Sequence, residues 1–425
     1  MKEVKFPYGK NCLSYDFEGE NFLGTLLSSL HGYKAASDGD TLVKEAMKNP
    51  IGTATLNELA RGKRTCVIIA SDHTRPVPSK VIIPHMLKEL RTGEPDIDIT
   101  IIIATGCHRE TTREELISKF GEDIVNKEKI VIHDCSVEED MVNIGTLPSG
   151  GALKINRLAA ECDLLVAEGF IEPHFFAGYS GGRKSVLPGI ASRESVLANH
   201  SSEFIAHPRS RTGILEGNPI HNDMLFAAKA AGLAYIVNVI IDEHKNAIYA
   251  VAGDVEAAHR TGCEFLSGLC RVKPTPADIV ITTNGGYPLD QNVYQSVKGM
   301  TAAEATVKEG GVIIMLSRAN DGHGGKEFYR QISESTDISA TMSEFLSRGR
   351  NETLPDQWQT QIFLRILMRA TVIYISDLPE NTVRALHMIP AKGIGEALSR
   401  AKEILGKERP TILAIPDGIS VMVAD

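Results

Sequence analysis

Gly169-Phe-Ile-Glu-Pro-His-Phe-Phe-Ala-Gly-Tyr-Ser-Gly-Gly-Arg-Lys-Ser185 follows directly on an apolar run, Asp163-Leu-Leu-Val-Ala-Glu168. The run reads as a buried strand. Its continuation packs a histidine (His174), clustered glycines (Gly178, Gly181, Gly182) and a lysine (Lys184) into one short connection. Open α/β sheets hold ligands at such strand ends. Glycines let the backbone approach a bound group closely, and a helix starting after the turn would favour an anion there. Gly178 to Ser185 nearly fits a triphosphate-binding loop, but Arg183 stands where that motif has glycine.

The same rhythm runs outward in both directions. Apolar runs at 64–70, 97–104, 129–133 and 235–241 predict further strands. Helices are expected over 80–90, from 111 onward, and over 194–199, 222–231 and 253–267. Two prolines in Arg271-Val-Lys-Pro-Thr-Pro276 interrupt the series. Beyond them come strands at 278–283, 311–316, 370–376 and 410–415, with helices over 293–309 and 393–405. This alternation predicts an α/β protein of two domains with mainly parallel sheets flanked by helices. The expected boundaries are 1–270, carrying Lys184, and 276–425, with the active site in the interdomain cleft.

Bulk properties narrow the function classes. The chain has 425 residues, 43% of them hydrophobic and 23% charged, and a net charge of −9. An acidic balance argues against nucleic acid as a partner, but not against a small anionic substrate. No apolar run reaches membrane-spanning length, and Met-Lys-Glu-Val-Lys-Phe-Pro at the start has no apolar signal segment. Seven scattered cysteines without C-x-x-C fit reduced thiols in the cytoplasm.

Polar candidates collect at the expected ends of strands: Asp72, His73, Thr74 and Arg75; Thr105 to His108; His174 to Lys184; and Asn284 to Pro288. Arg75 offers a fork for a carboxylate or phosphate. His108 and His174 each bring an imidazole, the side chain suited to general acid or base work near neutral pH, though each could equally be a packed or capping histidine. His200 closes an expected helix, as a metal ligand or as a cation at the helix C-terminus. Gln295 and Lys298, at i and i+3, share one helical face. No H-E-x-x-H or H-x-H spacing occurs, so any metal must draw most of its ligands from outside the side chains. On these residues alone, a nucleotide or sugar-phosphate binding protein remains the alternative.

Taken together, Ser71-Asp-His-Thr-Arg-Pro76, Gly106-Cys-His108, Glu172-Pro-His-Phe-Phe-Ala-Gly-Tyr-Ser-Gly-Gly-Arg-Lys184, His200 and Gln295-Ser-Val-Lys298 resemble the nickel-pincer-dependent lactate racemase family. The similarity runs in order through nearly the whole chain. It implies a racemase or epimerase acting at C2 of a 2-hydroxy acid, lactate or a relative such as malate. It implies a nickel pincer pyridinium-3,5-bisthiocarboxylic acid mononucleotide attached covalently at Lys184, with His200 as a nickel ligand. The Asp72–Arg75 loop would touch this cofactor, and the glycine turn could accommodate its phosphate. His108 and His174 would be the two proton carriers, and Arg75, Gln295 and Lys298 the substrate anchors. Cofactor-maturation proteins would be partners.

Overall fold

The computed structural model describes residues 3–424. It is a mixed α/β structure in which parallel pairing predominates and helices flank the sheets. The chain forms two compact units: Leu30–Leu269, and the chain up to Ser29 together with Cys270 onward.

The Leu30–Leu269 unit is built on a six-stranded sheet. Its strands are β1 (Thr65–Ser71), β2 (Asp98–Ala104), β3 (Lys129–Ile132), β4 (Leu164–Phe170), β5 (Leu233–Ile241) and β6 (Ala247–Gly253). The order is β6-β5-β4-β1-β2-β3, parallel throughout except for the antiparallel β5–β6 pair. Near-continuous aliphatic runs form these strands because both faces are covered. Ile68 and Ile101, from neighbouring strands, lie in one core with Val166 and are fully buried, as it is. From β1 the chain steps through β2 and β3 to one side, then returns to build β4, β5 and β6 on the other. The reversal therefore falls between β1 and β4, the place where such sheets open a crevice at their carboxyl edge. Residues 72–78, 105–108 and 171–185 all leave the sheet at that edge.

The other unit has its own six-stranded parallel sheet. Its central strand, Ala277–Thr283, lies between Val307–Leu316 and Ile412–Ile415. The N-terminal segment belongs here, not with residues 30–269 as the 1–270 boundary expects. Phe22–Thr25 pairs in parallel with Ile412–Ile415 as the edge strand. The preceding hairpin, Glu3–Tyr8 with Asn11–Asp16, sends Phe6 into a core with Ile279 and Ile281, where Phe17 is also fully buried.

Two local expectations are corrected. The helix expected over 293–309 ends at Glu304, because Val307 already enters the sheet beside Ala277. No long helix follows the glycine turn. Gly182–Ser185 is one four-residue 3-10 turn. Among the described residues, no helix is long and apolar enough to cross a membrane.

Candidate active site

β4 is buried at every position, including Glu168. A carboxylate inside a sheet must find donors. Glu168 accepts from the Ser71 amide at 2.9 Å, the Ser71 hydroxyl at 2.8 Å and the Ser79 hydroxyl at 3.1 Å. It thereby ties the exit of β1 to the start of the Ser79–Gly93 helix and frames the loop between them. Lys119 steadies the same loop by donating to the Arg75 carbonyl at 3.1 Å.

Asp72, 1% exposed, organises this loop. One of its oxygens accepts from the Thr74 amide at 3.1 Å and the Thr74 hydroxyl at 2.7 Å. The other meets His108 Nδ1 at 2.7 Å. A carboxylate has only lone pairs to offer, so Nδ1 of His108 carries the proton and Nε2 keeps the lone pair. That is how a carboxylate orients a histidine base. Arg75 donates to Thr74 Oγ1 at 3.0 Å. His73 turns the other way, to Thr111 Oγ1 at 3.0 Å beside the start of the Arg113–Phe120 helix. His73 thus makes its hydrogen bond away from Asp72, Thr74 and His108, although the charges of Asp72 and His108 still reach its ring.

Burial alone would raise the Asp72 carboxyl. The hydrogen bond and charge of His108, with Arg75 and Thr74, more than reverse this and lower it from 3.8 to about 2. A carboxyl depressed on folding adds stability above its unfolded pKa of about 4 and loses it as pH falls through the folded value. At neutral pH this amounts to at most about 2 kcal/mol. The His108 side chain is 44% exposed, so solvent screens part of it. Urea unfolding of Asp72→Asn beside the parent chain, between about pH 2 and 6, checks the coupling. The two stabilities differ most above about pH 4 and converge toward pH 2; a gap independent of pH contradicts the pairing.

His174 is placed differently. The Ala177 amide donates to its Nδ1 at 3.3 Å, and Lys184 Nζ, which as an ammonium can only donate, lies 3.5 Å from its Nε2. The ring stacks on Phe175 at 5.1 Å and meets Phe176 edge-on at 4.5 Å. Phe176 is the hub of the group. It also packs edge-on against His200 at 5.2 Å and lies under Lys184 Nζ at 5.8 Å.

His200 caps the Arg193–Asn199 helix. Its Nδ1–H donates to the Val196 carbonyl at 3.0 Å, so Nε2 carries the lone pair. Burial first, and the nearby Lys184 charge second, lower its pKa to about 3. The helix-end cation reading fails here, because a neutral imidazole neutralises no carbonyl dipole. What remains is a neutral imidazole, a nitrogen of the kind that ligates metals. Among the described residues, no three His, Cys, Asp or Glu side chains are grouped to hold an ion.

Lys184 is presented by a turn held from behind. Gly181 and Gly182 have φ of +75° and +52°. A Cβ at Gly182 would lie 2.7 Å from the His259 ring, so only glycine fits. Arg183, fully buried, donates to the Ala177 carbonyl at 2.7 Å and to those of Gly181 and Ser180 at 3.3 and 3.4 Å. This explains why it replaces the glycine of a phosphate loop: the side chain is a strut inside the turn. The Gly182 amide donates to Asn238 Oδ1 at 2.7 Å, and the Lys184 amide to the Gly181 carbonyl at 3.2 Å. Two N–H groups that a phosphate cradle would aim outward are thus spent internally, against the expectation that this turn receives a phosphate.

The segment after Lys184 is tied to the His108 turn, since the Gly106 amide donates to the Gly189 carbonyl at 3.0 Å. In the other unit, Gln295 and Lys298 are both half-buried on one face of the Val293–Glu304 helix. Asn292 caps that helix by accepting from the Gln295 amide at 2.9 Å. Sequence reasoning missed Glu168, Lys119, Asn238 and His259. Glu168 alone left a signal, as a carboxylate closing an otherwise apolar strand.

Known proteins resemble this chain over its whole length. Residues 8–213 match the family description "Lactate racemase N-terminal domain", and residues 272–423 match "Lactate racemase C-terminal domain". The chain is 55% identical to a lactate racemase of Thermoanaerobacterium thermosaccharolyticum and 51% identical to one of Lactiplantibacillus plantarum, each over 100% of both chains. The solved structure of the lactate racemase apoprotein from T. thermosaccharolyticum superposes with a TM-score of 0.96 at 54% identity, covering 100% of both chains. A Thermotoga maritima protein, 20% identical, shares the fold with a TM-score of 0.66 over 91% of this chain and 99% of its own.

Proposed function

This chain belongs to the lactate racemase family, and from that premise we propose that it racemises lactate by moving the C2 hydrogen as hydride while two histidines move the hydroxyl proton. The observation that carries the reading is a pair of imidazoles, one oriented by a carboxylate and one beside the lysine. Asp72 fixes a proton on Nδ1 of His108, so the neutral ring has its lone pair on Nε2, and His174 Nε2 lies 3.5 Å from Lys184 Nζ. Each ring can accept a proton from a hydroxyl when neutral and return one to the oxygen of a keto intermediate when protonated. The hydroxyls of the two enantiomers point to different sides, so inversion takes one histidine on each side, and the roles exchange in the reverse direction.

The C2 hydrogen of a 2-hydroxy acid is a poor acid beside an ionised carboxylate, and leaving as hydride avoids a build-up of negative charge. The donor set suits a group that brings its own metal ligands: a lysine amine, and a buried neutral imidazole near enough to feel its charge. We read this group as the nickel pincer pyridinium-3,5-bisthiocarboxylic acid mononucleotide, joined at Lys184, with His200 Nε2 ligating nickel. When bound, it supplies the hydride acceptor, chemistry that no side chain offers. The chain's own residues orient and protect. Asp72 fixes His108, Phe175 and Phe176 hold His174 in an apolar wall, and Arg183 keeps the Lys184 turn in place. Arg75, Gln295 and Lys298 are proposed as anchors for carboxylate and keto oxygen. Malate and other 2-hydroxy acids are candidate substrates beside lactate, cofactor-maturation proteins are candidate partners, and the cytoplasm is the proposed compartment. The internally spent N–H groups of the Lys184 turn weigh against the nucleotide or sugar-phosphate alternative.

The test is chiral chromatography of C2-deuterated L- and D-lactate incubated with protein produced alongside its maturation proteins. Both enantiomers approach an equal mixture, and the inverted product retains deuterium. Loss of the label to water at the rate of inversion would sink the hydride step.

A further inference from the structure

Two thiols without an assigned role meet at the margin of the site. Cys107 is exposed on the turn that carries His108, and Cys135 is buried just beyond β3; their Sγ atoms are 3.5 Å apart. The sheet brings them together. Ile103 of β2 pairs with Ile132 of β3, and Thr105 Oγ1 donates to the His133 carbonyl. Cys135 is anchored, since its carbonyl accepts from the Arg193 amide at 3.0 Å and its sulfur interacts with the Arg193 side chain. The Cys107 hydrogen bond lowers the Cys135 thiol, burial opposes this, and Arg193 adds to the lowering, which brings it to about 6. Thiolate is therefore present at neutral pH.

We propose that Cys107 and Cys135 form a reversible disulfide whose closure displaces His108 and switches racemisation off. The second half rests on His108 as a proton carrier; the crosslink itself does not. The oxidant is a low-molecular-weight disulfide such as glutathione disulfide. Cys107 passes its proton to the Cys135 thiolate beside it and attacks one of the oxidant's sulfurs, forming a mixed disulfide and expelling one glutathione thiolate, which takes up that proton. Cys135 thiolate then attacks the Cys107 sulfur and expels the second. One S–S bond breaks and one forms, and the two thiol protons end on two glutathiones. Closure brings the sulfurs from 3.5 Å to about 2.05 Å. Cys135 is held by Arg193, so the movement falls on the Cys107 turn. That turn pivots at Gly106, which has φ of +57°, and His108 follows directly. A displacement of about 1 Å at a catalytic group costs about a hundredfold in rate.

The experiment equilibrates the cofactor-loaded chain in glutathione redox buffers, blocks free thiols, and maps peptides by mass spectrometry. Racemisation and the His108 ring resonance are read on the same samples. The linked 107–135 peptide grows with the oxidised fraction, kcat falls in parallel by about a hundredfold, and dithiothreitol restores it. Cys107→Ser forms no link and keeps its activity in oxidising buffer. Absence of the linked peptide in fully oxidising buffer overturns the proposal. So does a link that leaves both kcat and the His108 resonance unmoved. If the reduced chain fails to racemise lactate at all, the racemase reading falls, while the linked peptide and the His108 resonance still decide this one.

Discussion

In His108→Ala and in His174→Ala, racemisation falls by about two to four orders of magnitude, the range a positioned acid or base contributes. Circular dichroism spectra remain those of the parent. Each single variant is enough because the proposed mechanism uses both imidazoles in every turnover, one as acceptor and the other as donor. The fold survives for different reasons at the two positions. The His108 side chain is 44% exposed, and its removal leaves Asp72 still accepting from the Thr74 amide and hydroxyl. His174 gives up its ring contacts with Phe175 and Phe176, which pack against each other without it at 4.8 Å. The variants are not equivalent in single-turnover experiments. Rapid acid quench of His108→Ala should release 2-keto acid from only one lactate enantiomer, and His174→Ala from only the other. The remaining histidine still serves the hydroxyl that faces it. Full activity in either variant removes the two-histidine assignment, and keto acid from both enantiomers in one variant removes its stereochemical division.

Much of this site was legible because it sits where chain direction and burial leave few choices. Apolar runs such as Leu164 to Ala167 can only be strands covered on both faces. Polar clusters directly after such runs must emerge at one edge of a parallel sheet, so Asp72, His108, His174 and Lys184 could be grouped without coordinates. What was hidden depends on partners far away in sequence. Phe22–Thr25 looks local, yet its register is set by Ile412–Ile415, and nothing within residues 1–60 announces that. Arg183 stands out in sequence only as the residue in place of a motif glycine, but backbone carbonyls turn it inward. His73 lies between Asp72 and Thr74 and still hydrogen-bonds outward, because Thr111 and Glu115 offer it partners on the other side. Cys107 and Cys135 are 28 residues apart without a motif, and only β2–β3 pairing makes them neighbours. Strand ends are thus predictable from pattern, whereas side-chain direction at those ends follows from donors and acceptors that the pattern does not contain.

Lys184→Ala, made with the maturation proteins, racemises lactate no faster than the uncatalysed background, and its intact mass equals that of the bare polypeptide. The turn that presents Lys184 does not depend on the lysine. Arg183, Asn238 and the two positive-φ glycines hold it, so the variant folds and the loss reports on attachment. Lys184→Arg separates attachment from charge. A guanidinium keeps the positive charge near Phe176 and His200 but offers no primary amine, so it too should carry no adduct. If the arginine variant racemises like the parent, Lys184 serves as a counter-charge and the tether is wrong. His200→Ala completes the series from the metal side. Its lysine is intact, so the mass increment at residue 184 persists, while nickel measured by elemental analysis falls below one per chain. Loss of both adduct and nickel in that variant would instead make His200 a requirement for loading. The series thereby distinguishes an attachment point from a ligand, two roles that one activity assay would merge.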